Sequence, residues 1–278
     1  MSEENTLEAT KHHYPLILNM PKTIHPTAII ADGAQLAPDV AIGPYSIIGE
    51  NVSIGAHTLI GAHVIIEGNT TIGERNQICS GTIIGNVPQD LKFDGEDTFV
   101  TIGNNNIIRE YVTINKGTRG GGGITRIGDH NVILTAAHVA HDVWIKNHTI
   151  ISNGVAIGGH VTLDDWVTIG GLAGIHQFTK IGTMAMVGSV SSITKDILPF
   201  TLVKGNPAKL YGLNIEKLRR CQFSLEARLL LQRTYKIIFR SGLTLEEAIK
   251  KVEQDIPPST EIDVIIKFIQ KSTRGFYR

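Results

Sequence analysis

The sequence contains little cysteine and no surplus of charge of either sign. Its two cysteines, Cys79 and Cys221, lie far apart in 278 residues and belong to no CxxC pattern. This argues against a disulfide framework and fits a reducing compartment. Lysine plus arginine and aspartate plus glutamate both total 26. The charge balance therefore gives no bulk attraction to nucleic acid or to an anionic membrane.

Long apolar runs are missing as well. No stretch approaches the ~20 apolar residues needed to cross a bilayer. The N-terminal segment lacks the basic start and the apolar stretch of a secretion signal. We therefore expect a cytoplasmic protein with no transmembrane segment and no nucleic-acid partner. The content of 42% apolar and 19% charged residues is ordinary for a globular protein.

What the sequence does contain is a repeat of six residues. Ile, Leu or Val occupies every sixth position from Ile24 to Ile84, from Ile102 to Ile114 and from Ile127 to Ile193. A period of six matches neither a helix nor an isolated strand. It is typical of a hexapeptide parallel β-helix, in which three hexads close a triangular coil of about 18 residues with the aliphatic side chains inside.

The repeat predicts a mainly β fold with three parts. They are an N-terminal extension over residues 1–21, expected to be disordered, a parallel β-helix over 22–203, and a small α-helical domain over 204–278. Loops at 85–101 and 115–126 interrupt the repeat, and the second contains four consecutive glycines. Loops on a rigid solenoid commonly carry binding groups, although both could be passive insertions.

Helix signals appear only after the repeat ends. Ser224 precedes an apolar periodic segment, and Thr244 with Glu247 forms a capping-box pattern. Thr260 is placed to start a last helix. We expect these helices to cover the open end of the β-helix, whose last coil otherwise presents unpaired strand edges.

Histidines are concentrated in one segment, since five of the chain's 11 lie within residues 136–178. If residues about 18 apart stack, His141, His160 and His176 fall at nearly one corner of three successive coils. His138 lies slightly earlier on the coil of His141. His130 and His148 fall elsewhere and are expected to be ordinary surface residues.

Such a column has three interpretations. The histidines could be solvated turn residues. They could bind a metal, because His is the commonest transition-metal ligand and a catalytic zinc takes three protein ligands. Left-handed β-helix carbonic anhydrases do so, but with a different ligand spacing. They could also provide a general base, which is favoured by Asp142 directly after His141, because a carboxylate can orient an imidazole.

An ordered set of motifs extends from about residue 22 to the end of the chain. The motifs are IHPTAI at 24–29, QDLKF at 89–93, IRE at 108–110, AHVAHD at 137–142, GGH at 158–160, HQF at 176–178, GNPA at 205–208, GLNIEKLRR at 212–220, FRSG at 239–242 and STRG at 272–275. In this order they resemble the bacterial UDP-N-acetylglucosamine O-acyltransferase family, which catalyses the first step of lipid A biosynthesis.

The resemblance implies a left-handed β-helix and a homotrimer of parallel prisms with active sites in the clefts between subunits. It also implies transfer of a fatty acyl group, usually (R)-3-hydroxyacyl, from acyl carrier protein to the 3-position of UDP-N-acetylglucosamine. No bound cofactor or metal is expected. The nearest alternative is a related hexapeptide acyltransferase with an amine acceptor or a coenzyme A donor. A carbonic anhydrase and a non-catalytic scaffold are more distant alternatives.

Residue roles follow from the resemblance as expectations. His141 corresponds to the catalytic base, Asp142 to the residue that supports it, and the Gly159 N–H to the group that stabilises the oxyanion. The other matched positions are Asp90, Lys92, His138, His160, His176, Gln177, Asn214, Glu216 and Arg220 for substrate binding, and Ser189 for acyl-chain length. The sequence departs from the family at Cys221, where an arginine is common, and at Asn115, where a histidine is common.

Overall fold

The computed structural model describes residues 23–278. The predicted N-terminal extension, residues 1–21, lies outside them. Among the described helices, none has the length and apolar character needed to cross a membrane.

Three parallel sheets form the sides of a triangular prism. Sheet 1 contains β1 (Ile29–Ile30), β4 (Ile47–Ile48), β7 (Ile65–Ile66), β10 (Ile83–Asn86), β13 (Thr113–Asn115), β16 (His138–Val139), β19 (Ala156–Ile157), β22 (Gly174–Ile175) and β25 (Ser192–Ile193). Sheet 2 contains β2 (Gln35–Leu36), β5 (Val52–Ile54), β8 (Asn69–Ile72), β11 (Phe99–Ile102), β14 (Ile124–Ile127), β17 (Trp144–Ile145), β20 (Thr162–Leu163) and β23 (Lys180–Ile181). Sheet 3 contains β3 (Ala41–Ile42), β6 (Leu59–Ile60), β9 (Gln77–Ile78), β12 (Ile107–Ile108), β15 (Val132–Ile133), β18 (Ile150–Ile151), β21 (Thr168–Ile169), β24 (Met186–Val187), β26 (Thr201–Gly205) and β27 (Ala208–Leu213).

The repeat positions form the core of the prism. Every one from Ile42 to Ile193 is at most 3% exposed. Ile24, Ile30 and Leu36 belong to the first described coil and remain partly exposed, because no described coil covers them. Burial of one such aliphatic side chain contributes about 1.5–3 kcal/mol, so the stacked column provides most of the apolar stabilisation of the prism.

Three corners connect the sheets, and at most turns the chain crosses the corner through a residue with positive φ. The first corner joins sheets 1 and 2 and contains residues 140–143, 158–161 and 176–179. The second joins sheets 2 and 3 and contains His130, His148, Trp166 and Met184. The third joins sheets 3 and 1 and contains residues 134–137, 152–155, 170–173 and 188–191.

Both interruptions of the repeat leave the prism at the first corner. Loop 1 (residues 87–98) connects β10 to β11, and loop 2 (residues 116–123) connects β13 to β14. Both are shorter than the predicted segments because the flanking strands extend into them. A short 3-10 turn, Arg119–Gly121, lies within loop 2.

The C-terminal end closes sheet 3 before the helices begin. Strand β26 pairs in parallel with β24, and β27 returns antiparallel to it, so the boundary predicted at residue 203 falls within β26. Four helices follow: α1 (Ile215–Arg220), α2 (Leu225–Arg240), α3 (Leu245–Asp255) and α4 (Thr260–Lys271). Thr244 and Glu247 form the complete capping box at the start of α3. The helices share a second apolar core with Met184, Leu198 and Phe200 from the last coils.

Candidate active site

His141 and Asp142 form a buried hydrogen-bonded pair at the first corner. The Nδ1 of His141 lies 2.8 Å from Oδ2 of Asp142. The imidazole is 10% exposed and the carboxylate is not exposed at all. Neighbouring residues of a strand point to opposite faces, but Asp142 has φ of 59° and the turn brings both side chains together. A carboxylate on Nδ1 selects the tautomer in which Nε2 is free to accept a proton.

The Asp142 carboxylate accepts further hydrogen bonds from loop 2. The Thr118 N–H lies 3.1 Å and 3.0 Å from its two oxygens, and the Thr118 hydroxyl donates to Oδ2 at 2.6 Å. The backbone N–H of Asp142 donates to Oγ1 of Thr125 at 2.9 Å. His141 and Thr118 therefore hold the carboxylate from two sides, and Thr125 holds the backbone of Asp142.

Gly159 lies against the imidazole of His141 on the next coil. A Cβ at this position would lie 2.6 Å from Cε1 and 2.7 Å from Nε2 of the ring. Only glycine allows this approach. The Gly159 N–H has no hydrogen-bond acceptor within residues 23–278, whereas its carbonyl accepts from the Phe178 N–H. A free backbone donor thus lies beside the imidazole.

Two further histidines flank the pair. The rings of His141 and His160 meet edge to face with centroids 5.0 Å apart, and His160 stacks on Phe178 at 4.2 Å. Nδ1 of His138 lies 2.8 Å from the Thr113 hydroxyl. Burial, with a smaller contribution from the charge of His141, lowers the pKa of His138. Burial is also the main cause that lowers the pKa of His160. Both imidazoles are therefore favoured in their neutral form.

A groove of about 450 Å³ extends from the His141 ring along the outer face of sheet 1. The outward-facing residues of four paired strands form its floor: His138, Ala156, Gly174 and Ser192. The three residues beyond His138 have small side chains or none. Gln89 of loop 1 also lines the groove. The groove can accommodate an extended chain beside the imidazole.

His176 and Gln177 lie at the first corner, one coil beyond Gly159, and both are exposed. His176 lines the groove. Its Nδ1 lies 3.0 Å from the Gln177 carbonyl oxygen and 3.3 Å from a guanidinium nitrogen of Arg274. The predicted column is thus modified, because the ring stacked on His160 is Phe178 and not His176.

Loop 1 brings Asp90 and Lys92 to the same corner. The Asp90 carboxylate accepts from the backbone N–H of Lys92 at 3.0 Å, which fixes a tight turn. Asp90 is close enough to His160 that its charge partly offsets the lowering of the His160 pKa by burial. The Lys92 side chain is exposed.

Three residues predicted to bind substrate, Asn214, Glu216 and Arg220, lie at the start of the helical domain beside the second corner. Asn214 caps α1, where Oδ1 accepts from Lys217 N–H and Nδ2 donates to the Met184 carbonyl. Glu216 and Arg220 are exposed and form an ion pair of 3.2 Å across one helical turn. Cys221 is 1% exposed and packs in the helical core, so this position presents no side chain to solvent.

Ser189 lies at the third corner. It lines a separate depression of about 550 Å³ together with Thr135, Asn153 and Leu172. Within one chain, sheet 1 separates this depression from the His141 corner. The predicted site residues therefore occupy three corners of the prism.

A metal-binding arrangement is also present in outline. The potential ligand atoms of His141, Asp142 and His160 lie within 4.8 Å of one another. The Asp142 oxygens, however, already accept hydrogen bonds from Thr118 and His141. A carboxylate occupied in this way favours a positioning role over metal ligation.

Sequence reasoning did not identify several residues that form this site. Thr118 holds Asp142, Gln89 lines the groove, and Arg274 contacts His176. Gln89 and Arg274 lie inside motifs already noted, QDLKF and STRG. For the floor residues Gly174 and Ser192, the available signal was their spacing of two and three whole coils from His138.

The chain is similar to known proteins in sequence and in structure. Residues 196–277 match the family model described as UDP N-acetylglucosamine O-acyltransferase, domain 2. Two relatives are named acyl-[acyl-carrier-protein]–UDP-N-acetylglucosamine O-acyltransferase. The one from Syntrophobacter fumaroxidans is 46% identical to this chain and the one from Thermodesulfovibrio yellowstonii is 49% identical, each over 92% of this chain and 99% of the relative.

Solved structures give the same result. LpxA from Acinetobacter baumannii superposes with a TM-score of 0.89 at 44% identity, covering 92% of this chain and 99% of that one. LpxA from Bacteroides fragilis superposes with a TM-score of 0.90 at 39% identity, covering 92% and 100%. The predicted fold class, a left-handed parallel β-helix followed by helices, is confirmed. The chain belongs to the UDP-N-acetylglucosamine O-acyltransferase family.

Proposed function

We propose that this protein transfers an (R)-3-hydroxyacyl group from acyl carrier protein to the 3-hydroxyl of UDP-N-acetylglucosamine, with His141 as the general base. The observation that carries the proposal is the His141–Asp142 pair, buried beside a groove and next to the free N–H of Gly159. The curated relatives carry the name of this reaction, including its donor and its acceptor.

The geometry suggests a two-step acyl transfer. Nε2 of His141 takes the proton of the sugar hydroxyl as its oxygen attacks the thioester carbonyl. Asp142 stabilises the resulting imidazolium through Nδ1. The Gly159 N–H donates to the oxyanion of the tetrahedral intermediate. When the C–S bond breaks, the proton on Nε2 passes to the leaving thiolate. General base catalysis of this kind typically contributes about 10²–10⁴ in rate.

The flanking groups bind and orient the substrates. Neutral His138 and His160 can each donate or accept a hydrogen bond, because burial lowers their pKa values. In this scheme Asp90 and Lys92 on loop 1 contact the sugar nucleotide, the role that the resemblance to the family implies. The small residues of the groove floor leave room for the acyl chain or for the arm that delivers it. No bound cofactor takes part in this scheme.

A homotrimer accounts for the distribution of the site over three corners. His141, Arg220 and Ser189 are assigned to one reaction, yet a rigid prism holds them apart in a single chain. A closed cyclic assembly places one corner of a chain against a different corner of the next. The third corner carries an apolar edge of more than half-exposed side chains, Tyr45, Tyr111, Leu172 and Val190, and such an edge favours association.

Product analysis tests the reaction. The purified protein is incubated with UDP-N-acetylglucosamine and acyl carrier protein thioesters of several chain lengths, with and without a 3-hydroxyl, and products are identified by mass. Parallel reactions with a 3-amino acceptor and with coenzyme A thioesters test the alternative. The absence of an acylated sugar nucleotide with every donor would contradict the proposal.

The assembly is tested separately. Light scattering on the eluting protein gives the subunit number, and Leu172→Asp places a charge on the apolar edge. We expect a trimer for the natural protein, and dissociation with loss of activity for the variant. A fully active monomer would rule out a site shared between chains.

A further inference from the structure

The glycine-rich loop 2 covers the carboxylate that supports His141. At Gly121, a Cβ would overlap the carboxylate group of Asp142, so only glycine permits this close approach. The Asp142 side chain has no exposed area. Loop 2 is itself anchored to loop 1, because the Arg119 N–H donates to Glu96 at 3.1 Å. The backbone N–H of Arg119 is the main cause that lowers the pKa of Glu96 to about 2.

Thr118 is the residue of loop 2 that contacts the carboxylate through two donors. Its N–H lies within 3.1 Å of both oxygens of Asp142, and its hydroxyl donates to Oδ2 at 2.6 Å. The same Oδ2 accepts from Nδ1 of His141 at 2.8 Å. Thr118 is only 5% exposed. A buried carboxylate needs such donors, and charge-assisted hydrogen bonds are the stronger ones.

We propose that Thr118 is a positioning residue of the acyl transfer, acting through Asp142 on His141. The inference rests on the proposed function, in which His141 is the base. The hydroxyl fixes the rotation of the carboxylate so that Oδ2 faces the imidazole, and Gly121 excludes water that would compete for the same oxygen. The glycine-rich loop therefore contacts Asp142 on the side of the pair away from the groove, and the groove side stays open to substrate.

The test is Thr118→Val, which removes the hydroxyl but keeps the backbone N–H. The backbone of Thr118 is extended, with φ −122° and ψ 153°, a conformation that valine favours. We expect kcat to fall about 10- to 30-fold, the effect of one lost hydrogen bond to a charged group. We expect the KM values of both substrates to stay unchanged, because Thr118 touches neither. Thr118→Ser should restore kcat.

Thr149→Val is the matched control. The N–H and the hydroxyl of Thr149 both donate to Oδ1 of Asn131, each at 2.8 Å, and the residue is fully buried near the second corner. The substitution removes the same group from the same arrangement, far from His141. It should lower the melting temperature and leave kcat unchanged.

A double-mutant cycle with Asp142→Asn completes the design. If Thr118 acts through Asp142, adding Thr118→Val to Asp142→Asn should lower kcat little further. Each of three results would overturn the inference. They are a wild-type kcat in Thr118→Val, an equal loss of kcat in Thr149→Val, and a fully additive loss of kcat in the double-mutant cycle. Where Thr118→Val fails to fold, Thr118→Ala carries the same expectations. His141→Ala distinguishes failure of the proposed function from failure of this inference. Full activity in His141→Ala would reject His141 as the base, whatever Thr118→Val shows.

Discussion

Substituting alanine for Gly159 should displace the catalytic imidazole. A Cβ at this position would lie 2.6 Å from Cε1 and 2.7 Å from Nε2 of His141. Carbon and nitrogen atoms that are not bonded rarely come closer than about 3.4 Å, so one side has to move by several tenths of an ångström. The ring cannot move freely, because Asp142 holds its Nδ1 and the imidazole is 10% exposed.

The expected effect is larger on catalysis than on folding. Overpacking of a well-packed site costs about 1–3 kcal/mol of stability. Displacement of a reacting group by an ångström can reduce the rate about 100-fold. We therefore expect kcat of Gly159→Ala to fall by about two orders of magnitude, with a modest decrease in melting temperature. Alanine keeps the backbone N–H, so the loss reports on the position of the ring and not on removal of the oxyanion donor.

Steady-state kinetics with the mass assay for product measure this effect. Gly120→Ala is the matched control, since a Cβ at Gly120 meets no atom within 4 Å. The control should keep both kcat and melting temperature. Wild-type kcat in Gly159→Ala would refute the conclusion that the Gly159 backbone determines where the imidazole lies. If kcat fell equally in both variants, the loss would come from adding a methyl group at either glycine and not from contact with His141.

Three other predictions concern histidines and cysteines. His141→Ala should lower kcat by about 10²–10⁴ in the same product assay, while the melting temperature shows that the fold persists. Burial raises the pKa of Cys79 to about 11 and also raises that of Cys221; thiol reagents at pH 8 should therefore modify neither in the folded protein and both after unfolding. The pKa values of His138 and His160 lie below their ordinary 6.5 in the folded state. Their contribution to stability is present above pH 6.5 and is lost as the pH falls below it, so the melting temperature should decrease in that range, and less steeply in the His138→Gln, His160→Gln double variant.

The fold was predictable because one physical requirement repeats along the chain. A β-helix places one side chain of every hexad inside, and only an aliphatic residue is stable there, so the requirement appears as a period of six. Strand pairing confirms the period, since Ile133 pairs with Ile151 and His138 with Ala156. The first coil is less buried than its sequence suggests, because burial depends on a neighbouring coil as well as on residue type.

The candidate site was less predictable, because its contacts arise at turns and loops. Spacing brought His141 and His160 to one corner, but the positive φ of Asp142 decides that this carboxylate meets the preceding imidazole. Period counting also could not reveal that Thr118 donates to Asp142, because the glycine-rich insertion follows no repeat. Positive-φ residues of successive coils lie above one another at a corner. His160 and Phe178 both have positive φ, which explains why Phe178, and not His176, stacks on His160.

The triangular shape of the coil has a consequence for how this site can be completed. Stacked sheets hold the corners apart, and Asn214 ties the start of α1 to Met184 at the second corner, so His141, Arg220 and Ser189 keep separate positions whatever binds to a single chain. Loop motion could bring Asp90 closer to His141, but it cannot bring the second or third corner to the first. If all three corners serve one reaction, the missing parts have to come from other copies of the chain. Mixing two impaired variants, His141→Ala and Arg220→Ala, should then restore part of the activity once their subunits exchange. No gain in activity after the subunits have exchanged would mean that one chain contains the complete site.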